Sequence, residues 1–120
     1  MAYLQVTTTT GSRDEGERIG RALVGRRLAA CFQVVGPMRS IYWWHGEIET
    51  ADEWLCLVKT TSERFDELAE ILTELHSYDV PEIVATEIVR GGASYLAWIS
   101  DETAQPAEAA QASGRVPDGP

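Results

Sequence analysis

The chain has 120 residues, of which 44% are hydrophobic, so it is long enough for one globular domain with its own core. Its formal net charge of −9 argues against nucleic-acid binding, which depends on clustered Lys and Arg. No apolar run approaches the ~20 residues that span a bilayer, and the first residues lack the pattern of a secretory signal. We therefore expect a cytoplasmic protein that binds neither nucleic acid nor membranes.

The first part of the chain predicts a strand followed by a helix. The β-branched run Tyr3–Thr9 is typical of a strand. Ser12 and Glu15 have the spacing of a capping box, in which a hydroxyl caps the helix and the acidic side chain reaches back to the cap. We expect this helix to run from Arg13 to about Arg27, whose charge would complement the helix dipole.

The middle of the chain predicts a long β-hairpin. Its limbs are Cys31–Trp44 and Glu47–Lys59, both rich in β-branched and aromatic residues, and His45-Gly46 forms the turn. Gly36-Pro37 interrupts the first limb, which indicates a bulge or an edge strand, because Pro cannot donate to a sheet. Both limbs exceed the ~5–6 residues of a usual strand. Because one small domain cannot cover so long a hairpin, we expect it to reach another subunit.

The second half of the chain repeats the strand and helix pattern. Thr60–Glu63 has the form of a second capping box, which predicts a helix over Ser62–His76. Glu82–Val89 predicts a strand, and Ser94–Ser100 predicts a short helix. The order β-α-β-β-α-β with a terminal helix is the ferredoxin-like arrangement of the α+β class. We place this domain at residues 1–102 and expect a disordered tail over 103–120, which is poor in large apolar residues.

The residues carry no strong catalytic or metal-binding motif. The sequence has no Gly-rich phosphate loop, no G-x-S-x-G elbow, and no Cys-x-x-Cys or His-x-x-x-His pair. We therefore do not expect an enzyme. The two cysteines, Cys31 and Cys56, lie in predicted strands and fit buried thiols of a reducing compartment better than a disulfide.

Three groups of residues leave alternatives open. His76 ends the second helix and is either a helix cap or an imidazole ligand for copper or zinc. Cys31 is either a small buried side chain or a thiolate ligand for a soft ion such as Cu(I). The aromatic run Tyr42-Trp43-Trp44 near the hairpin tip either contacts another subunit or lines a ligand cleft.

Five segments of the chain resemble the CutA family, the divalent-cation tolerance proteins. They follow the order of the family and are Arg26–Cys31, Ser40–Glu49, Leu57–Thr60, Leu75–Ile83 and Tyr95–Ile99. The resemblance implies a homotrimer of ferredoxin-like subunits, with the hairpin packed between neighbours, and an association with copper and other divalent ions. The fold and the trimer are similar to those of the PII signalling proteins, which bind small ligands between subunits.

The resemblance also implies candidate site residues near a cleft between subunits. Cys31 and His76 are the candidate copper ligands, and the candidate ligand cleft comprises Trp44, Lys59, Tyr78 and Glu82. The chain departs from the family at His45, where Glu is common, which adds a second imidazole at an exposed tip. It also departs at Thr7–Thr10, where some members carry a cysteine that can bind metal.

Three functions are compatible with this sequence. The first is a trimeric divalent-cation tolerance protein that binds copper or another divalent ion. The second is a PII-like sensor or scaffold that binds a small molecule or a protein partner in its clefts. The third, which we rank last, is an enzyme that uses Glu82 as a base near Lys59, for which the sequence offers no evidence of proximity.

Overall fold

The computed structural model describes residues 1–104 and has the predicted α+β architecture. Its four strands form one sheet of order β2-β3-β1-β4, in which all neighbours are antiparallel. This is the ferredoxin-like arrangement with an added helix at the end. The elements are β1 (Tyr3–Thr10), α1 (Arg13–Gly25), β2 (Cys31–Trp44), β3 (Glu47–Thr61), α2 (Phe65–Leu75), β4 (Val84–Glu87) and α3 (Ala93–Glu102).

The hydrophobic core lies between the sheet and the helices α1 and α2. Each helix contributes residues at three- or four-residue spacing, which places them on one face toward the strands. These core side chains are inaccessible to solvent: Val6, Ile19, Leu23, Val58, Leu68 and Leu72. The third helix packs elsewhere, and its Ser100 hydroxyl lies 2.7 Å from the Tyr3 hydroxyl.

The start of α1 confirms half of the predicted capping box. The Ser12 hydroxyl accepts a hydrogen bond from the Glu15 amide at 3.1 Å, as the box requires. The Glu15 carboxylate does not return to Ser12 but accepts from the Gly11 amide at 3.4 Å and from the Ser77 amide at 2.9 Å. The side chain therefore links α1 to a loop that follows α2.

The hairpin has the predicted turn and the predicted irregularity. His45 and Gly46 both have positive φ angles, 50° and 80°, as a tight two-residue turn between twisted strands requires. The pairing of β2 with β3 shifts register between Val35 and Met38, around the Gly36-Pro37 pair. Because β2 is also an edge strand, Pro37 removes no sheet hydrogen bond on the outer side.

Four predicted elements have different boundaries in the structure. The first helix ends at Gly25, so Arg26 and Arg27 follow it. The second begins at Phe65 without a side-chain cap, because Thr60 and Thr61 continue β3 and pair with β1. The last strand is confined to Val84–Glu87, an edge strand with one partner. The terminal helix extends to Glu102, and the following Thr103 is buried.

The predicted disordered tail lies almost entirely outside the described residues. Residues 105–120 fall beyond that range. Near the end of the described residues, the Thr103 hydroxyl donates to the Ile99 carbonyl at 2.7 Å. The Arg64 guanidinium donates to the Thr103 carbonyl at 2.5 Å. The Arg64 bond holds the end of α3 against the start of α2.

Candidate functional site

A cavity of about 330 Å³ lies between the hairpin and the loop that joins α2 to β4. We call it the acidic cavity, because three carboxylates and no basic side chain line it among the described residues. Its walls come from the end of β1, the outer half of the hairpin, and the loop after α2. The lining residues are Thr9, Tyr42, Trp44, Glu53, Tyr78, Asp79, Val80 and Glu82.

The loop beside the acidic cavity is held by His76, the C-cap of α2. Its ring Nδ1 accepts a hydrogen bond from the Tyr78 amide at 3.1 Å. The neutral ring therefore carries its proton on Nε2, which lies 2.7 Å from the Thr9 carbonyl and donates to it. His76 therefore occupies the C-cap position, and its side chain bonds to Thr9 and Tyr78. Both ring nitrogens are engaged, so a metal ion could bind only in place of one of these bonds.

Glu15 supports the same loop from the side of α1. It accepts the Ser77 amide at 2.9 Å, and its carboxylate lies 3.9 Å from Nδ1 of His76. Burial by itself would raise the pKa of Glu15. Hydrogen bonds from Ser77, electrostatic attraction to His76 and a hydrogen bond from the Gly11 amide together outweigh burial and lower that pKa below its ordinary value. The carboxylate is therefore ionised at neutral pH and fixes the loop.

Tyr78 and Glu53 meet inside the acidic cavity. The Tyr78 hydroxyl donates to the Glu53 carboxylate at 2.9 Å, and Glu53 is only 9% exposed. Burial raises the pKa of the Tyr78 phenol, and the Glu53 carboxylate raises it further. The phenol therefore keeps its proton, and this wall of the cavity is a buried carboxylate with a neutral partner.

The structure gathers three of the predicted cleft residues and separates the fourth. Trp44, Tyr78 and Glu82 all line the acidic cavity. Lys59 donates to the Gln33 side chain at 2.8 Å and is absent from the lining. It lies six residues from Glu53 along β3, which is about 20 Å at the usual strand rise. One subunit therefore does not bring Lys59 to Glu82, as the enzyme hypothesis required.

The two predicted copper ligands lie in different parts of the subunit. Cys31 pairs with Lys59 in the sheet, whereas His76 contacts Thr9. The register partner of Thr9 is Leu55, about 13 Å from Lys59 along β3. Within one subunit, Cys31 and His76 do not share a metal ion. Across residues 1–104, no group of three or more His, Cys, Asp and Glu side chains could hold one.

The two thiols differ in their surroundings. Cys56 is buried, as predicted, and burial raises its pKa to about 11, so it is protonated and unreactive at neutral pH. Cys31 is half-buried, less than the sequence suggested, and lies against the Tyr95 phenol of α3. Both thiols are free. Cys31 is therefore the more accessible sulfur.

Sequence reasoning missed several residues of the site. Glu53 and Asp79 line the acidic cavity, and Glu15 braces its loop, yet each looks like an ordinary surface charge in the sequence. One indication was available for Glu53, because it directly precedes the apolar run that begins at Trp54. Tyr42 also lines the cavity, which agrees with the ligand-cleft interpretation of the aromatic run.

The fold defines a class of protein, a ferredoxin-like subunit with an extended hairpin, and comparisons identify the family. The family model described as "CutA1 divalent ion tolerance protein" matches residues 4–102. The "Divalent-cation tolerance protein CutA" of Thermus thermophilus is 45% identical over 98 residues, which cover 82% of this chain and 95% of that protein. Its namesake from Archaeoglobus fulgidus is 43% identical over 97 residues, covering 81% and 93%. The chain belongs to the CutA1 family.

Solved structures show the same relationship. A structure of the Thermus thermophilus divalent cation tolerance protein has a TM-score of 0.83 at 43% identity, and covers 85% of this chain and 99% of its own. A structure from Archaeoglobus fulgidus, named as a periplasmic divalent cation tolerance protein, also has a TM-score of 0.83, at 38% identity with 85% and 99% coverage.

The relatives differ in length and in the compartment that their names state. The chain spans about half the length of a chloroplastic relative from Oryza sativa, with 36% identity over 98 residues that cover 82% of this chain and 55% of the relative. It spans nearly all of the two microbial relatives. None of the helices within the described part of the chain is long and apolar enough to cross a membrane.

Proposed function

We propose that this chain acts as a homotrimer in the response to divalent metal ions, without catalysing a reaction. The single observation that carries the assembly is the outer half of the hairpin, which extends beyond the core. Three of its large side chains are largely exposed: Ile41 at 71%, Trp43 at 70% and Ile48 at 62%. Contiguous apolar surface of this kind marks a site of protein association.

A second copy of the chain is the partner that these residues favour. β2 is an edge strand, so its outer backbone groups are available to pair with another strand. The family resemblance implies that three copies use this hairpin, which would bury the aromatic tip in each of them. An obligate interface of this kind buries ~2,000 Å² or more.

Membership of the CutA1 family supports the metal-ion role, and we propose copper as the ion. Cys31 is the stronger candidate ligand, because a half-buried thiolate suits Cu(I) and its sulfur is accessible. His76 is the second candidate, but it would have to give up its contact with Thr9 or with Tyr78. The two would act at separate places in a subunit. The free cysteines also support a reducing, cytoplasmic location.

Native mass spectrometry of the full chain with Cu(I), Cu(II), zinc or a chelator tests assembly and metal binding together. We expect a trimer with one copper per subunit. The variant that loses this copper, Cys31→Ser or His76→Ala, identifies the ligand, and unchanged copper binding in both variants would contradict the assignment. A trimer that takes up no copper above the zinc control would contradict the proposed copper binding and support the proposed homotrimer. A monomer at micromolar concentration would contradict the proposed homotrimer.

A second candidate function is binding of a small ligand in the acidic cavity. The cavity favours it, because its volume of about 330 Å³ lies at the lower end of the range for ligand sites. Three aromatic residues and three carboxylates line it, which is the mixture of apolar walls and a few polar groups that such sites have. A thermal-shift screen of metabolites, in which Trp44→Ala abolishes each response, tests this function.

A further inference from the structure

We propose that the acidic cavity binds organic ammonium ions, an inference that rests on the second candidate function. The first observation is charge. Glu53, Asp79 and Glu82 line the cavity, and no Lys, Arg or His of the described chain lines it with them. The chain as a whole also carries a formal net charge of −9. Field lines from like charges concentrate in a concave site, so the cavity attracts cations and repels anions.

The second observation is the burial of Glu53 and its hydrogen bonding. This carboxylate is 91% buried, and its one hydrogen-bond partner within residues 1–104 is the neutral Tyr78 hydroxyl, on Oε2. The other oxygen, Oε1, accepts no hydrogen bond there, and the ion pairs of the same residues do not include Glu53. Oε1 is accessible from the cavity and is not sealed from solvent. A cation bound there would pair with a carboxylate that has no other charged partner in residues 1–104.

The third observation decides between a metal ion and an organic cation. A divalent metal needs several oxygen ligands around one point, and no three acidic, His or Cys side chains of residues 1–104 converge in that way. The other lining residues are the aromatic Tyr42, Trp44 and Tyr78, with Val80 and Thr9. Aromatic faces attract ammonium groups and also contact the apolar body of an organic ligand. The walls therefore select a cation with carbon substituents.

The raised pKa of the Tyr78 phenol agrees with this arrangement. Because the phenol stays protonated at neutral pH, its hydrogen bond occupies Oε2 of Glu53 and fixes the carboxylate. Oε1 then remains to accept a hydrogen bond from a primary ammonium group. A quaternary ammonium ion has no such hydrogen and would bind through charge and the aromatic rings alone.

Calorimetric titration of the full chain tests the proposal with three probes of similar shape at equal ionic strength. They are a primary alkylammonium ion, a quaternary alkylammonium ion and the corresponding neutral alcohol. We expect both cations to bind and the alcohol to bind at least tenfold more weakly, because the alcohol carries no charge for the three carboxylates and the aromatic rings to attract. Equal binding of the alcohol would overturn the proposal.

Glu53→Gln keeps the shape of the side chain and an oxygen acceptor for Tyr78 while removing the charge. We expect this variant to weaken binding of the primary ammonium ion roughly tenfold or more. Glu70→Gln, an exposed residue of α2 outside the lining, is the matched control and should change nothing. If Glu53→Gln fails to fold, Asp79→Asn removes an exposed charge of the same cavity and should weaken binding several-fold.

The outcomes separate this proposal from the functions that precede it. Folded Glu53→Gln and Asp79→Asn variants that bind ammonium as the parent does would overturn the proposal. An anionic or neutral metabolite whose binding is lost in Trp44→Ala would also overturn it, while ligand binding in the cavity would stand. Failure of every probe and metabolite would overturn both, and the trimer and copper measurements would be unaffected.

Discussion

The two ends of the hairpin have the same kind of sequence and opposite surroundings. At the inner end, Cys56 and Val58 of β3 are completely buried. At the outer end, Trp43 of β2 and Ile48 of β3 are exposed by 70% and 62%. Both ends are rich in β-branched and aromatic residues and pair as an antiparallel ladder on either side of the register shift at Gly36-Pro37. Strand-forming residues therefore do not by themselves determine where a core forms.

The difference follows from the lengths of the elements. The 14 residues of β2 span about 46 Å at the usual strand rise. The 13 residues of α1 span only about 20 Å, because a helix rises about 1.5 Å per residue. The helices consequently cover the inner half of the hairpin and cannot reach the tip. The tip around Trp43 and Ile48 can be covered only by something outside the subunit.

The largest expected effect on stability lies in the core beneath the inner half of the hairpin. Leu72→Ala should lower the free energy of unfolding by about 2–5 kcal/mol, because it leaves a cavity among fully buried side chains. Urea denaturation followed by circular dichroism measures it. Val89→Ala, at a side chain that is 83% exposed, is the control and should change stability by no more than about 0.5 kcal/mol. Equal effects at both positions would contradict the assigned core.

The outer half should respond through assembly. Trp43→Ala should weaken subunit association by about 2 kcal/mol or more, as truncation of an aromatic interface anchor does. Its subunit should keep native secondary structure, because Trp43 contributes nothing to the core. Sedimentation velocity over a dilution series measures the change. The charge reversal Glu47→Lys at the tip is the control and should have a smaller effect; an unchanged association for Trp43→Ala would place the interface elsewhere.

The Glu15 carboxylate lies in the half of the subunit that the helices cover, and its contribution to stability depends on pH. Glu15→Gln should cost about 1–3 kcal/mol at neutral pH, because it weakens hydrogen bonds to a buried carboxylate. The folded state lowers the pKa of Glu15 below its ordinary value of 4.5, so this contribution is present above that pH and lost as pH falls through the folded-state pKa.

The measurement is the stability difference between the parent and Glu15→Gln as a function of pH. We expect it to shrink below about pH 4.5. Glu17→Gln, at an exposed position of the same helix, controls for loss of a surface charge and should show no such dependence. A difference that stays constant down to acid pH would mean that the Glu15 charge does not stabilise the loop.

The smallest effect is expected at the tip. His45→Asn should stabilise the hairpin by only a few tenths of a kcal/mol, because Asn tolerates the positive φ of 50° better than His. Thermal unfolding measures it. The same variant should retain copper binding, since the proposed ligands lie elsewhere. A large loss of stability or of copper would show that the tip does more than turn the chain.

Much of the candidate site depends on contacts that the sequence does not reveal. Trp44, Tyr78 and Glu82 could be named through the family resemblance, and all three line the acidic cavity. Glu53 and Asp79 could not, because they are 26 residues apart and meet only where the loop after α2 folds back on the hairpin. The family resemblance placed Lys59 with Trp44, Tyr78 and Glu82, but Lys59 lies about 20 Å along the strand from Glu53.

The sequence by itself determined the features that depend on neighbouring residues. These are the Ser12 cap, the His45-Gly46 turn, the irregularity at Gly36-Pro37 and the apolar face of α2, each set by local backbone and side-chain chemistry. Tertiary structure decided where elements end and which charges meet. Thr61 stayed in a strand because β1 pairs with it, and Glu53 became a buried carboxylate because a distant loop covers it. Such outcomes depend on contacts between residues far apart in the chain, which local patterns do not encode.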